Sequence, residues 1–107
     1  MATVGLVGVG LIGRAWANVF ARAGWQVRIW DAASAVSAAA PELISRALHD
    51  VARHGLAEDP AAAAARVRAA GSLEEAVADA ELVIEPAKTE YRTLKMLRNH
   101  PDPAIQK

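Results

Sequence analysis

The stretch VGLVGVGLIGRAWA, residues 4–17, decides how the rest of the chain reads. One reading makes it the apolar part of a secretion signal, with Ala15-Trp16-Ala17 as a small-residue cleavage site. The other makes it a buried strand that breaks into a turn at Gly8, Gly10 and Gly13, a shape that cradles phosphate. Secretion signals open with positive charge, and Met1-Ala2-Thr3 carries none. Four glycines between residues 5 and 13 also make a poor apolar helix, since each costs roughly 1 kcal/mol relative to alanine. The second reading is the better one.

Outward from the turn, residues 3–7 are short, apolar and valine-rich, as in a strand buried on both faces. From Leu11 the period changes: Ile12, Trp16, Val19, Phe20 and Ala23 form one helical stripe. Gly13, Ala17 and Ala21 sit four apart, a small-residue ridge that lets a helix approach a sheet closely. Gly24 stands where a left-handed cap belongs. WQVRIWD (residues 25–31) alternates like a second strand and ends on an acid.

Beyond it, Leu43, Ile44, Ala47, Leu48, Val51 and Ala52 repeat at helical spacing. Pro41 lacks a donor and clashes with the preceding turn. The expectation is a weak lead-in from Ser34 and a firmer helix over 41–54. Asp59-Pro60 is a helix start opening the alanine run 61–65. Residues 67–70 read as a third strand. Ser72 and Glu75 form a capping box for a helix to about Ala80, and ELVIE (81–85) reads as the fourth strand. A helix over 90–99, ended by HPDP, is expected after it.

This alternation of strands and helices predicts an α/β fold, a partial Rossmann fold with a doubly wound parallel sheet of about four strands in the order 3-2-1-4. Residues 1–107 are expected to form one domain, C-terminally incomplete, with 86–107 an atypical tail.

Composition limits the partners. The 107 residues hold 12 Lys+Arg against 12 Asp+Glu, so no excess positive field exists to hold nucleic acid or an anionic membrane. No run reaches the ~18–20 apolar residues of a membrane span. Cysteine is absent, which removes disulfides and thiolate metal sites and suits the cytoplasm.

In the strand–turn–helix context, Gly8-x-Gly10-x-x-Gly13 acquires chemistry. Gly8 permits the tight turn, Gly10 carries no side chain to hold a pyrophosphate away, and Gly13 lets helix and strand pack closely. The helix N-terminus adds free N–H groups aimed at phosphates. Asp31, 18 residues after Gly13, ends the second strand, where a carboxylate accepts hydrogen bonds from the adenine ribose hydroxyls. The cofactor-binding candidates are therefore Gly8, Val9, Gly10, Leu11, Ile12, Gly13 and Asp31. No arginine follows Asp31 to receive a 2′-phosphate, so the expected cofactor is NAD rather than NADP.

At these residues the sequence resembles the NAD-binding domain of the 3-hydroxyacyl-CoA dehydrogenase family. GLIGRAWANVFARAGWQVRIWD is especially similar to the branch that contains lambda-crystallin and L-gulonate 3-dehydrogenase. The long helical excursion between strands two and three separates the chain from the 3-hydroxyisobutyrate and 6-phosphogluconate dehydrogenases. The resemblance implies oxidation of a secondary hydroxyl by hydride transfer to NAD, with a hydroxyacyl-CoA or hydroxy acid as substrate of the complete enzyme and a place in fatty acid metabolism. It also implies two further cofactor contacts, a glutamate and a lysine five residues apart, at Glu90 and Lys95. Pro86-Ala87-Lys88-Thr89 departs from the family's usual connection, and a solvated helix face is the other reading of that pair.

The family's next strand, its catalytic serine and histidine–glutamate pair and its dimerisation domain would lie past Lys107, so no catalytic residue is assigned here. The resemblance thus implies a front portion, truncated or shifted in frame near residue 86. A stand-alone dinucleotide-binding module and a gene remnant are the alternatives. His49 and His54 lie five apart, about 140° around a helix, which is not the spacing of paired ligands, and no metal site is expected. The fourth strand, left without a fifth beside it, is expected to be an edge through which copies self-associate.

Overall fold

The structure, a computed structural model, describes residues 2–85. The expected helix over 90–99, with Glu90 and Lys95, lies outside the described residues. Eight elements follow one another: β1 (Thr3–Val7), α1 (Leu11–Arg22), β2 (Gln26–Trp30), α2 (Ser34–Arg53), α3 (Pro60–Ala65), β3 (Val67–Ala69), α4 (Leu73–Val77) and β4 (Leu82–Ile84). The strands form one parallel sheet in the order β3-β2-β1-β4, as the alternation predicted. Val4 pairs with Val27 on one side and with Leu82 on the other, so the first strand is central.

The sequence signals at the element ends act as expected. Gly24 has φ +93°, the left-handed conformation that stops α1. Asp59 accepts the Ala62 N–H at 3.0 Å and Pro60 opens α3. Ser72 Oγ accepts the Glu75 N–H at 3.1 Å, and the Glu75 carboxylate reaches back to the Gly71 N–H at 2.9 Å, a capping box displaced by one residue. α4 stops at Val77, short of Ala80, because the chain must leave the helix early to enter the sheet. The Glu81 N–H already donates to the Thr3 carbonyl at 2.9 Å.

The small-residue ridge of α1 is its buried face, as expected: Gly13, Ala17 and Ala21 are buried together with Asn18, while Ile12, Trp16 and Val19 of the large apolar stripe are half-exposed. A helix that lies close to a sheet turns its small residues inward, and its larger ones flank the contact. Trp16, Phe20 and Trp25 form an aromatic row along that flank, with Phe20 and Trp25 edge-to-face at 5.0 Å.

One expectation fails for a physical reason: α2 is not divided at Pro41 into a weak lead-in and a firmer helix but runs unbroken from Ser34 to Arg53. Proline in a helix interior costs about 3 kcal/mol. Burial of Ile44 and Leu48, fully enclosed among core residues, contributes about 3–6 kcal/mol together and offsets it.

Val4, Leu6, Val27, Ile29 and Val67 present one sheet face to Ala17 and Ala21 of α1, to Ala40, Ile44 and Leu48 of α2, and to Ala63 of α3, forming one core cluster. Across the sheet, α4 rests on β1 at Gly5, whose missing side chain makes the contact possible. A Cβ there would lie 2.6 Å from the Ala76 carbonyl oxygen. Arg28 and Arg68 are register neighbours on β2 and β3. Burial pushes the Arg28 guanidinium pKa down, Arg68 adds to the fall, and Asp79 and Glu75 oppose it.

The Gly5 contact is backbone against backbone, so neither side yields by a rotamer change. Gly5→Ala should cost about 1–3 kcal/mol, read as a lowered urea midpoint with an unchanged slope, and should displace α4. An unaltered midpoint would show that α4 is not seated there.

Candidate functional site: the glycine loop and the end of strand two

β1 ends at Val7, and the loop of Gly8, Val9 and Gly10 carries the chain into α1. Gly8 has φ +101°, which side-chain-bearing residues rarely adopt. Its N–H donates to the Trp30 carbonyl at 2.8 Å. Val9 packs its side chain into the core, 1% exposed. Gly10 is the N-cap of α1, with φ −69° and ψ −161°, a conformation any residue can hold. A Cβ built on Gly10 meets nothing within 4 Å, so the space above it is open.

Gly13 is different. A Cβ on it would lie 2.1 Å from the Gly8 carbonyl oxygen, so this glycine exists for close packing between helix and loop. The three glycines thus have three separate tasks: conformation at Gly8, open space at Gly10, close approach at Gly13.

The first turn of α1 has no side-chain cap and no acidic residue. Its leading N–H groups have no acceptor within the helix, and with the helix dipole they favour an anion. Leu11 and Ile12, the first two helical residues, are exposed, so the backbone of this turn is reachable. An uncapped helix start next to an open glycine fits a pyrophosphate.

Asp31 stands beside this turn, at the end of β2. Its Oδ2 accepts the Val9 N–H at 2.9 Å and its Oδ1 accepts the Ala33 N–H at 2.9 Å. A carboxylate offers about four acceptor positions, so each oxygen retains capacity for a hydroxyl. Residues 32 and 33 are alanines.

The structure therefore brings Gly8, Val9, Gly10, Leu11, Ile12, Gly13 and Asp31 into one locus at the carboxyl ends of β1 and β2. The Val9 N–H is already committed to Asp31, an engagement that motif spacing does not announce. Gly5 is a second residue the spacing left unread. A lone glycine within a strand does signal close backbone approach, and that signal was present.

The histidines stand apart from this locus. His49 and His54 are exposed on and just after α2, and their Nδ1 atoms lie 2.8 Å and 2.9 Å from the carbonyls of Ser45 and Asp50, one turn back. Among the described residues, no group of three His, Cys, Asp or Glu is placed to hold a metal ion, and no helix is long and apolar enough to cross a membrane.

Comparison with known proteins agrees with this geometry. Residues 3–97 match the family described as 3-hydroxyacyl-CoA dehydrogenase, NAD binding domain. The L-carnitine dehydrogenases of Streptomyces coelicolor and Streptomyces griseus are 39% and 40% identical over 84 residues, covering 78% of this chain and 26% and 24% of theirs. The chain thus spans about a quarter of the length of these curated relatives. The crystal structure of M. tuberculosis FadB2 superposes with a TM-score of 0.70 at 28% identity, covering 94% of this chain and 37% of that one. The strand order, the glycine loop and the matched residues lead to one conclusion: the chain belongs to the 3-hydroxyacyl-CoA dehydrogenase family and is an NAD-binding domain of it.

Proposed function

We propose that residues 1–107 act as one NAD-binding unit of a dehydrogenase that oxidises a secondary hydroxyl. The observation that supports this most directly is the open space over Gly10, at an uncapped helix start and beside the Asp31 carboxylate. In this reading the backbone of Gly10, Leu11, Ile12 and Gly13 receives the pyrophosphate, and Asp31 accepts the ribose hydroxyls. Gly8 and Val9 shape the floor beneath. Glu90 and Lys95, with the family's five-residue spacing, touch the cofactor as well. Bound NAD would supply a hydride acceptor; this chain would bind and orient it.

The substrate we propose is a 3-hydroxyacyl-CoA, within fatty acid metabolism. A small hydroxy acid of the carnitine kind is the second reading, favoured by the 39–40% identity to the two L-carnitine dehydrogenases. A cytoplasmic setting suits a chain without cysteine. Self-association is proposed through β4, the sheet's apolar edge, whose Leu82 and Val83 are 41% and 43% exposed.

Three outcomes test these readings. Gly10→Val should leave the fold and its helix content intact, at the cost of a small fall in melting temperature from the poorer N-cap, because the backbone conformation tolerates it and its Cβ meets nothing. The same variant should abolish NAD binding; normal binding would make the glycines turn formers only.

Titration calorimetry should show NAD preferred over NADP, because a 2′-phosphate would face the Asp31 carboxylate, and the two residues after it are alanines rather than an arginine. Asp31→Ala should weaken NAD and narrow that gap. Light scattering on the pure chain should show dimers or larger species that an added lysine at Val83 disperses; a concentration-independent monomer would remove the β4 proposal.

A further inference from the structure

Within β1, successive N–H groups point to opposite neighbours, alternately toward β2 and β4. At Gly8 this alternation ends. Its φ of +101° turns the chain, and two consecutive N–H groups then both reach the end of β2. Gly8 donates to the Trp30 carbonyl at 2.8 Å, and Val9 donates to Asp31 Oδ2 at 2.9 Å. No backbone carbonyl of β2 meets the Val9 N–H; a side-chain oxygen does. The carboxylate supplies one more rung beyond the end of the β1–β2 ladder.

That rung is fixed at both ends. The Ala33 N–H holds Asp31 Oδ1 at 2.9 Å, which sets the orientation of the carboxylate. The Val9 side chain, 1% exposed, is anchored in the core. The next residue, Gly10, caps α1, and the Arg14 N–H closes on its carbonyl at 2.9 Å. A tether on Val9 therefore restrains the backbone that leads directly into the first turn of α1.

We propose that Asp31 is a positioning residue for the glycine loop, in addition to any contact with ribose. Its carboxylate holds the Val9 N–H and so shapes the pyrophosphate seat before a nucleotide arrives. The proposal rests on the reading that this loop seats NAD, and it deepens it. Loss of Asp31 removes the ribose acceptor and also leaves a buried N–H without a partner, so the loop opens and phosphate binding suffers. A carboxylate that acted on ribose alone would have no effect on a ligand lacking ribose hydroxyls.

Two measurements on the full chain separate these roles. The first is amide hydrogen exchange by NMR in the absence of nucleotide, in wild type, Asp31→Ala and Asp31→Asn. A hydrogen bond to a charged acceptor predicts that the Val9 amide exchanges about tenfold to a hundredfold faster in Asp31→Ala. The Leu48 amide, in the core, should be unaltered. Asp31→Asn keeps one acceptor oxygen and should lie between the two.

The second measurement is calorimetric titration with NAD and with an analogue lacking the 2′- and 3′-hydroxyls of the adenosine ribose. The tether predicts that Asp31→Ala still weakens the analogue, by about tenfold. Equal affinity of wild type and Asp31→Ala for the analogue overturns the proposal. So does an unchanged Val9 exchange rate in a folded variant. Should Asp31→Ala fail to fold, the Asn variant decides by the same exchange criterion. Failure of wild type to bind NAD would instead overturn the proposed function, and the exchange comparison would still decide the tether.

Discussion

The arrangement depends on one steric constraint, the approach of α1 to the turn that precedes it. The Gly8 carbonyl oxygen occupies the place where a side chain on residue 13 would begin. Because that contact is backbone on backbone, it fixes the height of the helix above the sheet. Ala17 and Ala21 continue the same low ridge, and both are fully buried against the sheet side. The larger residues of α1 are held at the flanks, which is why Trp16 and Val19 remain half in water. A helix seated at that height also brings its N-terminus to the carboxyl ends of β1 and β2.

Seen this way, the site belongs to the sheet's geometry as much as to its own residues. Two glycines of the loop serve shape, one serves vacancy, and the acid of β2 ties the loop back to the strand beside it. Gly5 does on the opposite face what Gly13 does on the near one, letting α4 lie directly on β1. The central strand is therefore approached at close range from both faces. Its own side chains, Val4 and Leu6, fill the space on the side of the longer helices.

Much of this was legible from the chain. The order of strands, the caps at Gly24, Asp59 and Ser72, and the gathering of Gly8, Gly10, Gly13 and Asp31 all rest on local chemistry that adjacent residues express together. What was not legible depended on partners distant in sequence. Pro41 is a local breaker, and only the burial of Ile44 and Leu48 against other elements shows that the helix persists through it. The hydrogen bond from Val9 to Asp31 spans 22 positions and has no sequence signature.

The central place of β1 has a further consequence for the order in which the fold can be completed. One edge of β1 is matched by β2 soon after it is made, and the other waits for β4, after α2, α3, β3 and α4 have all been produced. At ordinary rates of synthesis, roughly 3–10 s separate those two strands on a ribosome. During that interval the helices can cover one face of the nascent sheet, yet they cannot satisfy the N–H and C=O groups along the open side of β1. The arrival of three residues, Leu82–Ile84, is what converts the first strand from an edge into an interior strand. Among the described strands, the oldest is thus enclosed only after the strand that follows it, β2, has gained both of its own neighbours.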